Sequence, residues 1–436
     1  EAVLTASGTG DGVNIGADLF GVKTAPPAPD PAQGGGDGVI DALFLYDRNS
    51  LLAAWIDDNG NRTDYFHDNL DRRIATSRGT CVPPSLADRC DPVTTTVFFY
   101  DRDHNLSRLT DEIGSVLDGV FDAINRRSAV FFTGGPAVVG TTVQSFQYNA
   151  DYRLTRATGD NDPADATEDS AVEFSWDSLG RLIEERQEIG SAGAKAVSSA
   201  WRAENLRSAV TYPNGRVVEH RFDGLDRLNS LSSTGVLAQT NAHLHIGPHR
   251  TLERRELTLN GTRMTYLNDS GTAVIGYDGL RRPVLLRHLR ADNSLIVGLE
   301  RAFDRMGNPI QENKLHDPAN SETYGFDSAY RLTRFERVNP MAIPPLHGTW
   351  ELDGVGNWKR VDAETRMHSS FNEIIERNAG VPVPILSDDN GNEIDDGVLL
   401  HEYDARNRLV RVTRKSDGLL IAEYDYDAFG RRLRKA

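Results

Sequence analysis

The sequence predicts an all-β protein, a curved strip of repeated antiparallel β-hairpins that takes up nearly the whole chain. Three observations predict it. A short unit, typified by Tyr426-Asp-Ala-Phe-Gly-Arg-Arg-Leu433, recurs from Tyr46 to the end of the 436 residues. Its residues carry the chemistry of a tight hairpin turn. No stretch reads as a long, capped amphipathic helix.

The unit runs aromatic, Asp, two loose residues, Gly or Asn, Arg, aliphatic. Close copies are Trp176-Asp-Ser-Leu-Gly-Arg-Leu182, Phe222-Asp-Gly-Leu-Asp-Arg-Leu228 and Tyr403-Asp-Ala-Arg-Asn-Arg-Leu409. Looser ones start at Tyr46, His67, Tyr100, Phe121, Tyr148, Trp201, His245, Tyr277, Phe303, Phe326, Leu352 and Phe371, giving 16 copies spaced 19 to 33 residues apart. Self-similarity at that period marks a repeat architecture.

Each residue type has a mechanical reason. The Asp carboxylate accepts from backbone N–H groups of the turn, the two loose residues take right-handed values, and Gly or Asn supplies the left-handed residue that closes a three-residue hairpin. Gly180, Gly307, Gly356 and Gly430 are therefore expected at positive φ. Asp fills the second position in 12 of the 16 copies, and the left-handed position is Gly, Asn or Asp in nine. Seven copies depart there, with Ser50, His104, Tyr152, Arg281, Tyr330, Ile375 and His249, and Phe371 to Arg377 is open to reading as a short helical turn.

Thirteen of the 34 aromatic residues occupy the leading position, enough for a continuous apolar seam from hairpin to hairpin. Arg follows the turn in ten copies, while only 6 of the 48 basic residues are Lys. A planar guanidinium stacks on a ring and forks onto a carboxylate, which an ammonium does less well.

In chain order, residues 1–38 stand apart. They contain Gly-rich stretches and Pro26-Pro27-Ala28-Pro29-Asp30-Pro31, expected to be extended, with one strand possible between Gly12 and Phe20. This segment reads as an arm or linker, and residues 39–436 as the hairpin array. Between copies, Asp58-Asn59-Gly60, Pro213-Asn214-Gly215 and Asn260-Gly261 mark the opposite turns of the meander. Glu256 to Tyr266 is expected to fold back through a two-residue type I′ turn at Asn260-Gly261, and Thr142 to Tyr148 to form a strand. Cys81 and Cys90, the two cysteines, share a Pro-containing insertion; a disulfide between them is the favoured reading, and a reduced pair the other. The returning strand from Arg431 to Lys435 is expected to present an open edge, covered by continuing sequence or by the N-terminal arm of a neighbouring copy.

Composition bounds function. At 39% hydrophobic residues the chain suits one sheet with a wet face better than thick globular cores. A net charge of −16 argues against nucleic acid as a partner. No run is long enough for a membrane span, and no charged-then-apolar leader opens the chain, as expected of a start after processing or within a longer polypeptide.

The repeated units resemble the YD-repeat, or rearrangement-hotspot, family, which includes the repeat shells of teneurins and of insecticidal toxin complexes. The resemblance spans about residues 40 to 436. It implies a strip of hairpins spiralling into a hollow shell, which in bacterial members often encloses a C-terminal toxin. The family's C-terminal core with its Asp-dependent self-cleavage site has no match here, since Asp91-Pro92, Asp162-Pro163 and Asp317-Pro318 lie inside repeat loops; that cleavage is not carried over.

Other chemistry has thin support. Asn241-Ala-His243-Leu-His245-Ile-Gly-Pro-His249 is the one histidine cluster, open to zinc if a third ligand joins, and His245 also fills a repeat position. Asp388 to Asp395 alternates oxygen ligands like a calcium loop but carries Glu393 where an EF-hand needs Gly, so a plain acidic turn is the simpler reading. Asn61, Asn105, Asn260 and Asn268 lie in glycosylation sequons. Catalytic motifs are missing. The expectation is a non-enzymatic structural protein without cofactor, extracellular or at a cell surface. Its partners would be copies of itself, the rest of a longer polypeptide, an enclosed toxin or a surface glycan. Shell, filament or adhesion scaffold, and carbohydrate-binding surface are the alternatives.

Overall fold

The computed structural model of the protein describes residues 2–7, 13–17, 39–80, 94–134, 142–160, 169–190, 193–234, 239–249, 251–337 and 347–436. Within them the chain is a meander. From Val39–Tyr46 to Arg432–Lys435, strands of 2 to 9 residues pair antiparallel with their neighbours in sequence; with two N-terminal strands they make a 31-stranded sheet followed by a 6-stranded one. The two join at Ile385, whose amide donates to the Ile375 carbonyl at 2.9 Å between the short strands Pro382–Pro384 and Leu386–Ser387. Pro384 lacks an amide, so the ladder is interrupted there and the strip continues past it. A single helical turn, Pro318–Asn320, interrupts the strands of the described residues.

The strand read within Gly12 to Phe20 is Val13–Ala17. It pairs with Ala2–Ser7, which in turn pairs with Val39–Tyr46. The N-terminal strands thus extend the chain's own first sheet edge rather than another's last one. The proline run and both cysteines lie outside the described residues.

Twenty five-residue turns build the strip's two edges, if each is recognised by a residue whose amide donates to the carbonyl four on while the left-handed residue between donates back. Gly180, Gly307, Gly356 and Gly430 have φ of +75°, +96°, +103° and +79°. Ser50, His104, Tyr152, Arg281 and Tyr330, side-chain-bearing residues at the same place, are held at +62° to +67°. Strand pairing on both sides fixes the turn and overrides a strain of about 1 kcal/mol per residue. A register shift of one residue is the accompanying bulge at most of these hairpins, as between Ser175 and Trp176 opposite Leu182, while those closed at Asp57, Asp111 and Tyr212 pair without one.

Three expectations need correction. The copy placed at Phe371 begins three residues earlier: Ser369 takes the Asp role, its Oγ accepting from the amides of Phe371 at 3.1 Å and Glu373 at 3.3 Å, and Asn372 is the left-handed residue at +65°. Ile374–Asn378 is a strand, not part of a helical turn. The Asn260-Gly261 connection is longer than a type I′ turn, because the Leu257 amide donates to the Thr262 carbonyl and only Gly261 has positive φ. The His245 copy likewise closes a longer loop, Ile246 amide to Thr251 carbonyl, with Gly247 left-handed in place of His249.

The buried apolar residues are few and mostly small: Ala54, Ala157, Ala171, Val172 and Val210 among them. The one buried hydrophobic cluster among the described residues joins Val130 and Phe132 to Ala405. Those residues lie some 270 positions apart because the strip curls round and meets itself.

Candidate functional site: the clasp and the seam

Two arrangements hold the strip together. The first is a clasp between consecutive copies. Asp177 Oδ1 accepts from the Leu179 and Arg181 amides, and Asp177 Oδ2 takes Arg181 Nε at 2.7 Å. The guanidinium then leaves its own hairpin. It lies 5.8 Å from the centroid of Trp201 in the next copy and donates to the Arg202 carbonyl at 2.7 Å. Trp201 Nε1 answers by donating to the Leu182 carbonyl at 2.9 Å. Arg72 on Tyr100, Arg126 on Tyr148, Arg153 on Trp176, Arg282 on Phe303 and Arg408 on Tyr426 repeat the stack at 4.6 to 5.5 Å. The phenol groups of Tyr100, Tyr148, Tyr277 and Tyr426 reach carbonyls of the preceding copy in the same way.

The sequence pairs Arg with an adjacent ring; the structure shows that the ring belongs to the next repeat, so one guanidinium fastens two hairpins. Amide donors and the guanidinium hold Asp177, Asp278 and Asp122 below the ordinary carboxylate range, with the backbone amide of the following Arg the largest cause.

The second arrangement is a seam between successive coils. Turns of the late copies, on one edge of the strip, meet turns and strands of the early copies on the other edge. Asn372 is its hub: Oδ1 accepts from Asn59 at 3.1 Å, Asn61 at 2.9 Å and Asn357 at 2.8 Å, while Nδ2 donates to Asp57 Oδ2 at 2.8 Å. Asn59 also donates to Asp353 Oδ2 at 2.9 Å. Further along, Asn390 Nδ2 donates to Asp111 Oδ2 at 2.8 Å and its Oδ1 accepts the Glu112 amide at 3.1 Å. Then Arg406 lies over Phe132 at 5.2 Å, Phe429 meets Phe174 edge-on at 5.7 Å, and Arg431 pairs with Glu185 at 2.6 Å. Apart from Asn357 and Asn372, both on the late side, these pairs are separated by 246 to 315 residues.

Burial records the seam. The side chains of Asp404 and Asp427 are 2% and 0% exposed, against 20% for Asp177 and 22% for Asp278 in turns of the same chemistry. At Gly354 the approach leaves no room for a side chain, because a Cβ there would overlap the Asp58 carboxylate.

Of the repeat residues singled out in the sequence, Tyr46 is half exposed at the first copy, Phe222 and Tyr403 end strands, and Tyr277 makes an isolated bridge to Pro283. Phe371 is at a turn tip, 5.5 Å from the Arg78 guanidinium of the facing coil. The acidic turn read at Asp388 is one more five-residue turn, Asp388–Asn392, with Asn392 filling its carboxylate and no leading aromatic before it. Asp57 opens such a turn on the opposite edge, where Asp58-Asn59-Gly60 marks one in the sequence; a further turn of that kind at Asp111 escaped sequence reading. His243 faces the cation Arg255 across the ladder, and burial, then Arg255, pushes its imidazole below the usual value. Among the described residues no group of three or more His, Cys, Asp or Glu is arranged to hold a metal ion.

No family model matches the sequence. Two curated relatives, the tRNA nuclease WapA of Bacillus subtilis and the tRNA3(Ser)-specific nuclease WapA of Bacillus spizizenii, are each 33% identical over 91 residues. That stretch is 20% of this chain and 4% of theirs. Among solved structures, a chain of the Photorhabdus luminescens Tc holotoxin pore carrying the TccC3-D651A mutation matches over 91% of this chain and 21% of its own, at 12% identity and a TM-score of 0.62. A chain of the TcdB2-TccC3 crystal structure matches over 91% of this chain and 24% of its own, at 12% identity and a TM-score of 0.56. The present chain therefore spans under a quarter of the length of these solved chains and shares their fold. The resemblance to YD-repeat shells read from the sequence holds at the level of that fold. No helix among the described residues is long and apolar enough to cross a membrane.

Proposed function

We propose that this chain is a non-enzymatic stretch of wall in a YD-repeat shell that encloses a toxin or other cargo outside the cell or at its surface. One observation carries the reading: the strip is sealed to itself across 246 to 315 residues by side chains of its turns. A scaffold that works as an extended ribbon has no use for such a seam, whereas a wall needs its coils joined. The turn carboxylates are engaged by their own amides, Arg or Asn, which supports a structural role over catalysis. The nuclease names of the two partial relatives cover too little of either protein to favour an enzyme here.

Small-angle scattering with negative-stain imaging of the purified chain tests the proposal. A curved wall around an open lumen is expected. An extended fibre, or a particle without a lumen, would favour the filament or adhesion scaffold instead. The extracellular part of the reading rests on the proposed Cys81–Cys90 disulfide. Thiol titration of denatured, unreduced protein from its native compartment should find no free thiol; two free thiols would remove that support.

A further inference from the structure

We propose that the cleft between the Asp304–Asn308 and Asp327–Arg331 turns is a receptor for the guanidinium of an arginine supplied by a partner polypeptide. The strip itself shows what such a site binds. One copy earlier, Arg282 places Nε 2.6 Å from Asp278 Oδ2, stacks 4.6 Å from the Phe303 centroid and directs a terminal nitrogen to the Asp304 carbonyl. One copy later, Arg331 places Nε 2.7 Å from Asp327 Oδ2 and donates to the Asp353 carbonyl at 2.7 Å. Between them the clasp position is Asn308. Its Nδ2 takes the place of the Arg Nε on Asp304 Oδ2 at 2.8 Å and stops there, without the terminal nitrogens by which Arg282 and Arg331 reach a carbonyl of the next turn.

What remains is an open cleft lined by Asp304, Met306, Ile310, Tyr324, Phe326 and Tyr330, with no Lys or Arg in its walls. The three elements of a guanidinium site are in place: a carboxylate, a ring and a turn carbonyl. Asp304 Oδ2 retains a lone pair after accepting from Asn308, and hydrogen bonding, first that of Asn308, holds this carboxyl low and ionised. Asp327 is already paired with Arg331, so the available charge is that of Asp304.

Two other copies with Asn at the clasp do not leave this vacancy. Asn105 bonds to Asn125, and Arg127 covers Phe121 at 5.6 Å. Asn357 belongs to the Asn372 hub, and the cleft beside it contains Lys359 and Arg366. At Asn308 the acid and the ring instead line an open cleft with no Lys or Arg in its walls. A planar guanidinium suits it better than an ammonium, because stacking and in-plane donation act together. The rim favours a polypeptide arginine over a small guanidinium: Met306 and Tyr330 are 64% and 48% exposed, apolar surface for the residues on either side of it.

The test is calorimetric titration of the full chain with a capped Gly-Arg-Gly tripeptide, its citrulline and lysine counterparts, and ethylguanidinium. Saturable binding of the arginine peptide is expected, at least tenfold tighter than the citrulline or lysine peptide and tighter than ethylguanidinium. Asn308→Arg, whose own guanidinium fills the place, should abolish it while keeping the β circular dichroism. Should that variant misfold, Phe326→Leu serves instead and should weaken binding at least fivefold. No saturable binding, equal binding of citrulline or lysine, or undiminished binding in the folded variant would overturn the assignment. Ethylguanidinium binding as tightly as the peptide would overturn the polypeptide partner.

Discussion

Asn372 donates through Nδ2 to Asp57 Oδ2 at 2.8 Å across 315 residues, and the same amide's oxygen accepts from Asn59, Asn61 and Asn357. A single side chain thus joins an early turn on one edge of the strip to two late turns on the other. An amide suits this position because it presents donor and acceptor at once.

Asn372→Asp should therefore open the seam. It replaces a donor with a carboxylate facing Asp57, leaving partners unsatisfied and adding repulsion, for a loss of about 2–3 kcal/mol. Asn205, left-handed in a turn of the same kind at φ +66° and exposed, is the control. Asn205→Asp should change stability by under about 0.5 kcal/mol. Urea titration followed by Trp fluorescence checks both, and equal effects would show that the hub does not hold the coils.

Gly354 and Gly224 both follow the Asp of their turns, yet only Gly354 meets a facing coil. Gly354→Ala should destabilise by about 1–3 kcal/mol, because its methyl group overlaps Asp58. Gly224→Ala has nothing within 4 Å of the added carbon and should be neutral or slightly stabilising. Differential scanning calorimetry of the pair reads the seam directly.

Arg181→Lys keeps the charge but loses the fork. The ammonium cannot bond Asp177, stack on Trp201 and reach the Arg202 carbonyl together. A loss of about 1–2 kcal/mol is expected, with faster hydrogen exchange in the strands Leu182–Ile189 and Lys195–Trp201. Wild-type exchange in both strands would refute the clasp as a link between repeats.

Acid should unfold the strip in two stages. His243, His288 and His368 have imidazoles pushed down, burial being the first cause in each. The unfolded chain takes up those protons first, so stability begins to fall as pH drops below about 6.5. Asp68, Asp122, Asp177 and Asp278 are depressed in the fold. Their contribution is fully present above the ordinary carboxylate value and is lost as pH falls from about 4 through the folded values. Melting temperature measured from pH 8 to pH 2 should show a shallow decline and then a steep one. A maximum near pH 4 would contradict the assignment.

The local fold was legible in the sequence because its signals act over a few residues. Asp, two loose residues and a left-handed residue determine a hairpin wherever they occur, and aromatic and Arg positions repeat with them, so the all-β meander and the positive φ at Gly430 follow from spacing alone. Even where the left-handed residue is Tyr152 or Arg281, pairing of the flanking strands imposes the same turn. What the sequence could not decide is which turns meet. Asp404 and Asp177 occupy the same position of close copies, yet one is sealed under a facing coil and the other stays partly exposed to water. That difference depends on the curvature of the strip, the sum of small twists over some ten hairpins, which no single unit encodes. The Asn372 hub, the demand for Gly at position 354 and the vacancy beside Asn308 exist only once coils and neighbouring repeats are set side by side.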